Sequence, residues 1–208
     1  MKYLASFLIV TLAACSSVEL PVERYYRLEP SAALAPDPIR AGILRVHDLQ
    51  LGTALDSDRL LLQAGVRLEP RALARWVAPL DRLVTDAMVL GLSRARVCDL
   101  VKGSADAGPQ TWSLHGRIVD FVEAVSDGGS QARVTLELWL ERGDQLLFHD
   151  EFSCVQPLTE SGPDQAVVAL SRGLNQIVVR VVGRMRDMQL FAAAHAKKAA
   201  RDVAGPSR

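Results

Sequence analysis

The residues of this chain best suited to chemistry are its four histidines, His47, His115, His149 and His195, together with its three cysteines and the carboxylates Asp56 and Asp58. His115 and His149 fall on the predicted outward faces of neighbouring strands, near Glu151. Brought together, the three would form a metal or acid–base site; left apart, they are solvated strand residues. Asp56 and Asp58, in LDSDR, fit a carboxylate pair and fit a turn equally well. The motifs that would promote either pair to an active site are missing. There is no G-x-S-x-G, no H-E-x-x-H and no glycine-rich phosphate loop. No C-x-x-C or Cys/His cluster has the spacing of a zinc site. The expectation is a non-enzymatic protein without metal or cofactor.

Cys15 carries a different chemistry. It follows Lys2, an apolar run and the small pair Ala13-Ala14, which are the n-region, h-region and cleavage site of a secretory signal. Leu12-Ala13-Ala14-Cys15 matches the bacterial lipobox, whose cysteine is acylated and becomes the mature N-terminus. The run from Tyr3 to Ala14 is well short of the roughly 20 residues that span a bilayer. Residues 1–14 are therefore read as a lipoprotein signal peptide and 15–24 as a tether. Stable anchoring takes more than one chain, and a lipoprotein cysteine carries three, palmitate among them. Ser16 stands where aspartate would signal inner-membrane retention, so the expected location is the outer membrane, facing the periplasm.

Lys plus Arg and Asp plus Glu both number 24, which gives no basic surplus for nucleic acid. Aromatic residues make up 5%, low for a module that stacks on sugars or bases. The length after cleavage suits one domain with a good core, placed at 25–192. Residues 193–208 form a basic tail, partly helical or disordered. Cys98 and Cys154 remain as an even pair in an oxidising compartment. They form a disulfide or are two small buried hydrophobes.

These residues need elements to hold them. Tyr25-Tyr26 opens a short strand ended by Pro30, and Ile43, Leu44 and Val46 mark another. Arg59–Leu68 reads as two short strands broken at Gly65. Apolar residues from Leu73 to Met88 recur at helical spacing, predicting a helix over Arg71–Arg96. Pro79 then kinks it or marks its true start, near Val77. Thr111–Val125, Gln131–Glu141 and Gln145–Val155 alternate as three meander strands, with Asp127-Gly128-Gly129-Ser130 as the first turn. Leu146, Phe148, Phe152 and Cys154 are expected inward; Trp139 interrupts an outward polar row. Pro163 to about Met188 repeats apolar residues at helical spacing. The expected fold is an α+β two-layer sandwich, a mostly antiparallel sheet packed against two main helices.

YYRL shortly after the lipobox, RWVAPL at Arg75–Leu80 and GRIVDFVEA followed by DGGSQARVTLELWL occur in one order. In these the chain resembles the auxiliary lipoproteins of ABC-type intermembrane lipid transport systems, the family of the paraquat-inducible lipoprotein C. Ala78 stands where that family more often has an acidic residue. The resemblance implies a non-enzymatic partner of an MCE-domain protein and an ABC lipid transporter. Such a protein would dock the periplasmic tunnel at the outer membrane, as a single subunit or as a homo-oligomeric ring, and support envelope integrity. Tyr25, Tyr26, Arg75, Trp76, Pro79 and Trp139 are the candidate partner-binding residues. Trp76 shares the apolar stripe and is also a core candidate; Trp139 is the best candidate for an exposed contact. The alternative is a stand-alone envelope lipoprotein that binds a small apolar ligand itself.

Overall fold

The computed structural model describes residues 22–29, 40–126 and 128–203, with side chains as far as Met188. Residues 1–14, read above as a signal peptide, Cys15, most of the residues read as a tether, Asp127 and residues 204–208 lie outside the described residues. Among the described residues nine strands form one curled sheet. In chain order they are β1 (Arg24–Tyr26), β2 (Arg40–Val46), β3 (Gln50–Leu51), β4 (Arg59–Ala64), β5 (Arg67–Trp76), β6 (Cys98–Lys102), β7 (Trp112–Ser126), β8 (Gly129–Arg142) and β9 (Gln145–Pro157). The described residues also form two α-helices, α1 (Leu80–Arg94) and α2 (Pro163–Val203).

The 15-residue strand β7 is the spine. One edge pairs along its length with β8, which pairs onward with β9, both antiparallel. The other edge takes three partners in succession, all parallel: β2 near Trp112–Leu114, β3 at Arg117–Ile118 and β4 at Glu123–Val125. β6 extends β2 in parallel, β5 folds back antiparallel on β4, and β1 lies parallel on β5. Five of these eight pairings are parallel, so the sheet is mixed rather than mostly antiparallel. The meander was readable because its hairpins are local. Parallel pairs join strands far apart in sequence through crossovers, and no local pattern marks them.

Alternation sets the inner face as expected. Leu114 and Ile118 of β7, Val134, Leu136, Leu138 and Leu140 of β8, and Phe148, Phe152 and Cys154 of β9 are buried. Phe121 departs from strict alternation: a register shift between Ile118 and Asp120 turns it inward. Leu146 is a correction. A register shift between Leu140 and Glu141 places it opposite Glu141, exposed on the outer face.

Of the two readings of the helix predicted over Arg71–Arg96, the structure realises the one in which Pro79 marks its start, and the longer span is corrected. Its first part is strand β5, which returns along β4 through a turn at Gly65, where φ is +60°. The helix begins at Leu80 directly after Pro79, which caps it without a side-chain hydrogen bond. Pro79 has no N–H to give an earlier turn, so the helical spacing upstream was coincidental.

α2 lays Ala166, Leu170, Leu174, Ile177, Val181 and Met185 against β8 and β9. Pro163–Met188 is long and apolar enough to cross a membrane, yet 56% of its apolar window is buried against the sheet and α1. Its β-branched stretch Ile177–Val182 is a poor helix former. Burial, at about 1.5–3 kcal/mol for each large apolar side chain, offsets that penalty. α1 and α2 approach closely where Gly91 faces Val178; a β-carbon on Gly91 would sit 3.1 Å from it.

Candidate functional site

Parallel pairing of β1 with β5 sets Tyr25 beside Arg75 and Tyr26 beside Trp76. Two motifs separated by about fifty residues thus share one strand edge. The side chains alternate across it. On the outer side the Arg75 guanidinium bonds both Glu23 and Asp58, and the Tyr25 hydroxyl donates to Glu23 at 3.0 Å. Arg75, then Tyr25, hold the Glu23 carboxyl below its usual range, and the Glu23 carboxylate raises the Tyr25 phenol in return. Tyr25 is 61% exposed.

On the inner side the Tyr26 hydroxyl donates to Asp164 Oδ1 at 2.8 Å, and Arg24 Nη1 donates to Oδ2 at 3.0 Å. Asp164 lies in the first turn of α2, where a carboxylate suits the helix dipole. Burial, then the Asp164 bond, raise the Tyr26 phenol. Trp76 is 5% exposed and meets Phe121 edge-to-face at 5.9 Å. Its indole belongs to the core. Pro79 lines a small hollow of about 310 Å³ with Asp56, Asp58 and Trp76. Asp58 pairs with Arg75 rather than with Asp56.

Two larger clefts flank β1. One, about 710 Å³, lies along β5 between Val22, Leu62, Pro70, Leu73 and Pro163. The other, about 930 Å³, runs between β1 and the first turns of α2, from Tyr25 and Tyr26 to Val168, Arg172 and Gln176.

Trp139 lies on β8, away from this edge, and is half-buried on the outer face. It sits in a row of rings. His47 stacks on His115 at 4.0 Å, His115 on Trp139 at 5.8 Å, and His149 meets Trp139 edge-on at 5.6 Å. The indole therefore stands between His115 and His149, and the three-residue site with Glu151 does not form. His149 Nε2 instead bonds Glu137 at 2.8 Å and His115 Nε2 lies 3.6 Å from Glu141. Among the described residues no cluster of His, Cys, Asp and Glu could hold a metal ion. Burial, then His115, lower the His47 imidazole, whose Nε2 is buried without a hydrogen-bond partner. The His195 side chain lies outside the described residues.

Cys98 and Cys154 are free, buried thiols. β2, β7 and β8 intervene along the sheet between their strands, whereas a disulfide needs Cα atoms roughly 4.4–6.8 Å apart. The alternative of two small buried residues is the one realised. Burial pushes the Cys98 thiol up to about 12.

Sequence reading missed a buried ion pair beneath β5. Glu123, on β7, is fully buried and accepts hydrogen bonds from Arg71 Nε at 2.9 Å, Arg71 Nη2 at 2.6 Å and Ser161 Oγ at 2.7 Å. Simple alternation puts Glu123 in the outward row with Ser113, His115 and Arg117; the register shift between Ile118 and Asp120 changes its face, so no local signal marked it.

A family model described as an ABC-type transport auxiliary lipoprotein component matches residues 26–182. A search of curated proteins gives no match. Among solved structures, protein XCC0632 of Xanthomonas campestris, a DUF330 protein, superposes with a TM-score of 0.72 at 15% identity, covering 82% of this chain and 99% of that one. A protein described as uncharacterized gives 0.65 at 19% identity, covering 79% and 99%. The hypothetical protein CT253 of Chlamydia trachomatis gives 0.51 at 11% identity, covering 69% and 97%. At these identities the likeness is one of fold.

Proposed function

The chain belongs to the family of ABC-type transport auxiliary lipoprotein components, and from that premise we propose that it is a non-enzymatic lipoprotein of the outer membrane, facing the periplasm, that docks the tunnel of an MCE-domain protein. Acyl chains on Cys15 hold it there, and the ABC transporter of the same system drives lipid through the tunnel. Loss of the docked state weakens the envelope.

One observation carries the reading: the register of β1 on β5, which builds YY and RW into one edge of the sheet. The division of labour along that edge supports it. Trp76 and Tyr26 tie the edge to the core and to α2, while Tyr25 and the Arg75 cluster face solvent. A large exposed aromatic backed by buried neighbours has the character of an interface anchor. Pro79 and Trp76 serve as supports of this surface, and Trp139 would meet a partner on a separate face.

The test is recovery of the MCE-domain protein encoded by the same genome with the detergent-extracted, lipidated chain. Tyr25→Ala is exposed enough to leave folding intact, and it should weaken capture at least about fivefold, the effect of removing an interface anchor. Cys15→Ala should leave capture in detergent intact and abolish activity in the cell. Failure to recover any MCE-domain protein would refute the proposal.

The 710 Å³ cleft favours a second reading, since its size lies within the roughly 300–1,000 Å³ of small-ligand sites and its walls combine Val22, Leu62 and Leu73 with Arg24, Glu69 and Arg71. Under that reading the chain binds an apolar ligand alone. Native mass spectrometry of the purified protein decides between them: bound lipid without a partner supports the second, and an empty chain that captures the MCE-domain protein supports the first.

A further inference from the structure

The open side of β1 carries an inference about what docks there, and it rests on the docking reading above. The Tyr26 carbonyl accepts the Val77 N–H, so Tyr26 turns its backbone toward β5. Backbone groups alternate sides along a strand, so Tyr25 turns its N–H and C=O to the unpaired edge. Beyond that edge lies the 930 Å³ groove, with α2 as its far wall. A strand edge facing a helix across a groove is the geometry that takes an extended peptide as an added strand.

The charges along the groove are unequal. Arg24 is neutralised by Asp164 at 3.0 Å, and Arg27 lies 3.9 Å from Glu29. Arg172 lines the groove, is exposed and has no ion-pair partner among the described residues. It stands one helical turn from Val168, which is 45% exposed. The wall therefore offers an apolar contact, then one uncompensated cation, beside a free backbone donor and acceptor.

We propose that the groove between β1 and α2 binds an extended, acidic peptide segment of a partner protein by strand addition at Tyr25, with an acidic side chain of the peptide on Arg172. Main-chain hydrogen bonds supply affinity and the Arg172 contact supplies selectivity.

The test uses the mature Cys15→Ser chain, ¹⁵N-labelled, titrated with an acetylated and amidated octapeptide alternating Val and Thr around one Asp. Amide shifts should appear at Tyr25 and along the first turns of α2. A peptide with Lys for Asp should bind more weakly, roughly 3- to 10-fold. Arg172→Glu, on an exposed helical position, should reverse that preference. N-methylation of the peptide's central amide should abolish the Tyr25 shift.

Three results would overturn the inference: no shift at Tyr25 with millimolar peptide, equal affinity for the Asp and Lys peptides, or dimerisation of the chain itself that Tyr25→Ala abolishes. The last would identify a second copy as the occupant. Capture of the MCE-domain protein that persists in Arg172→Glu, without any peptide binding, sinks this inference and leaves the proposed function standing. Peptide binding without capture does the reverse.

Discussion

Removing the Arg71 cation should reveal how much Glu123 depends on it. The carboxylate has no exposed surface and its three donors are Arg71 Nε, Arg71 Nη2 and Ser161 Oγ, all within 2.9 Å. Arg71→Met keeps the aliphatic stem and deletes two of the three hydrogen bonds, both of them charge-assisted. Breaking a buried pair by removing one partner costs about 3–5 kcal/mol, because the remaining charge stays desolvated. Arg71 keeps 23% of its side chain exposed, so water reaches the gap and the lower end applies, about 3 kcal/mol. For a domain of this size that corresponds to a fall in Tm of roughly 6–12 °C. Urea and thermal unfolding followed by tryptophan fluorescence would measure it. The double variant Arg71→Met/Glu123→Met removes both charges, and it should recover most of the loss, since apolar replacement of a buried pair is often neutral or stabilising. A single-variant cost below about 1 kcal/mol, the value of an exposed pair, would refute the reasoning. So would a double variant no more stable than the single one.

Gly116→Ala should destabilise by about 1–3 kcal/mol through overpacking, because its β-carbon would meet Leu138 Cδ2 at 2.5 Å and the Glu137 carbonyl at 2.6 Å; an unchanged Tm contradicts this. Stability should fall with pH below about 6.5, where an unfolded histidine takes up a proton that folded His47 resists, its imidazole being lowered by burial and by His115. The unfolded state then binds more protons than the native one, so the contribution is complete above that pH and is lost as pH drops through the folded value. Arg45 adds to the resistance while Asp48 and Glu141 oppose it, and His47→Gln should flatten this limb of the urea-midpoint profile. Cys98, buried and pushed up to about 12, should resist iodoacetamide at pH 8 in the native protein and react readily in urea; equal rates in both would show the thiol to be accessible.

The parts of this protein that were legible in the sequence share one property: their signal lies within a few residues of chain. The three long strands β7, β8 and β9 alternate with period two, so their inward rows could be named before any coordinates. The register shift beside Leu146 could not, because a bulge depends on the partner strand. The start of β5 after Gly65 was read as a strand, but its continuation from Arg71 to Trp76 escaped detection for a related reason. Leu73, Trp76 and Leu80 are spaced for one helical stripe, and only the hairpin with β4 and the missing N–H of Pro79 separate strand from helix. The site was half legible. Tyr25-Tyr26 and Arg75-Trp76 stood out as motifs, yet nothing in the chain announced that they are neighbours, since parallel pairing leaves no local trace.

The histidines make the same division plainer. Motif spacing gave the expectation that His115 and His149 lack a catalytic setting, and Leu12-Ala13-Ala14 before Cys15 gave the reading of that cysteine as a lipidation residue. Local chemistry of this kind needs no fold. Whether His115 and His149 could converge was a matter of distance across strands, and folding answered it by setting Trp139 between them. Folding also buried Glu123 against Arg71 and turned the backbone of Tyr25 outward. Those outcomes depend on which strands pair and in what register, which the packing of the whole core selects and no short stretch of sequence encodes.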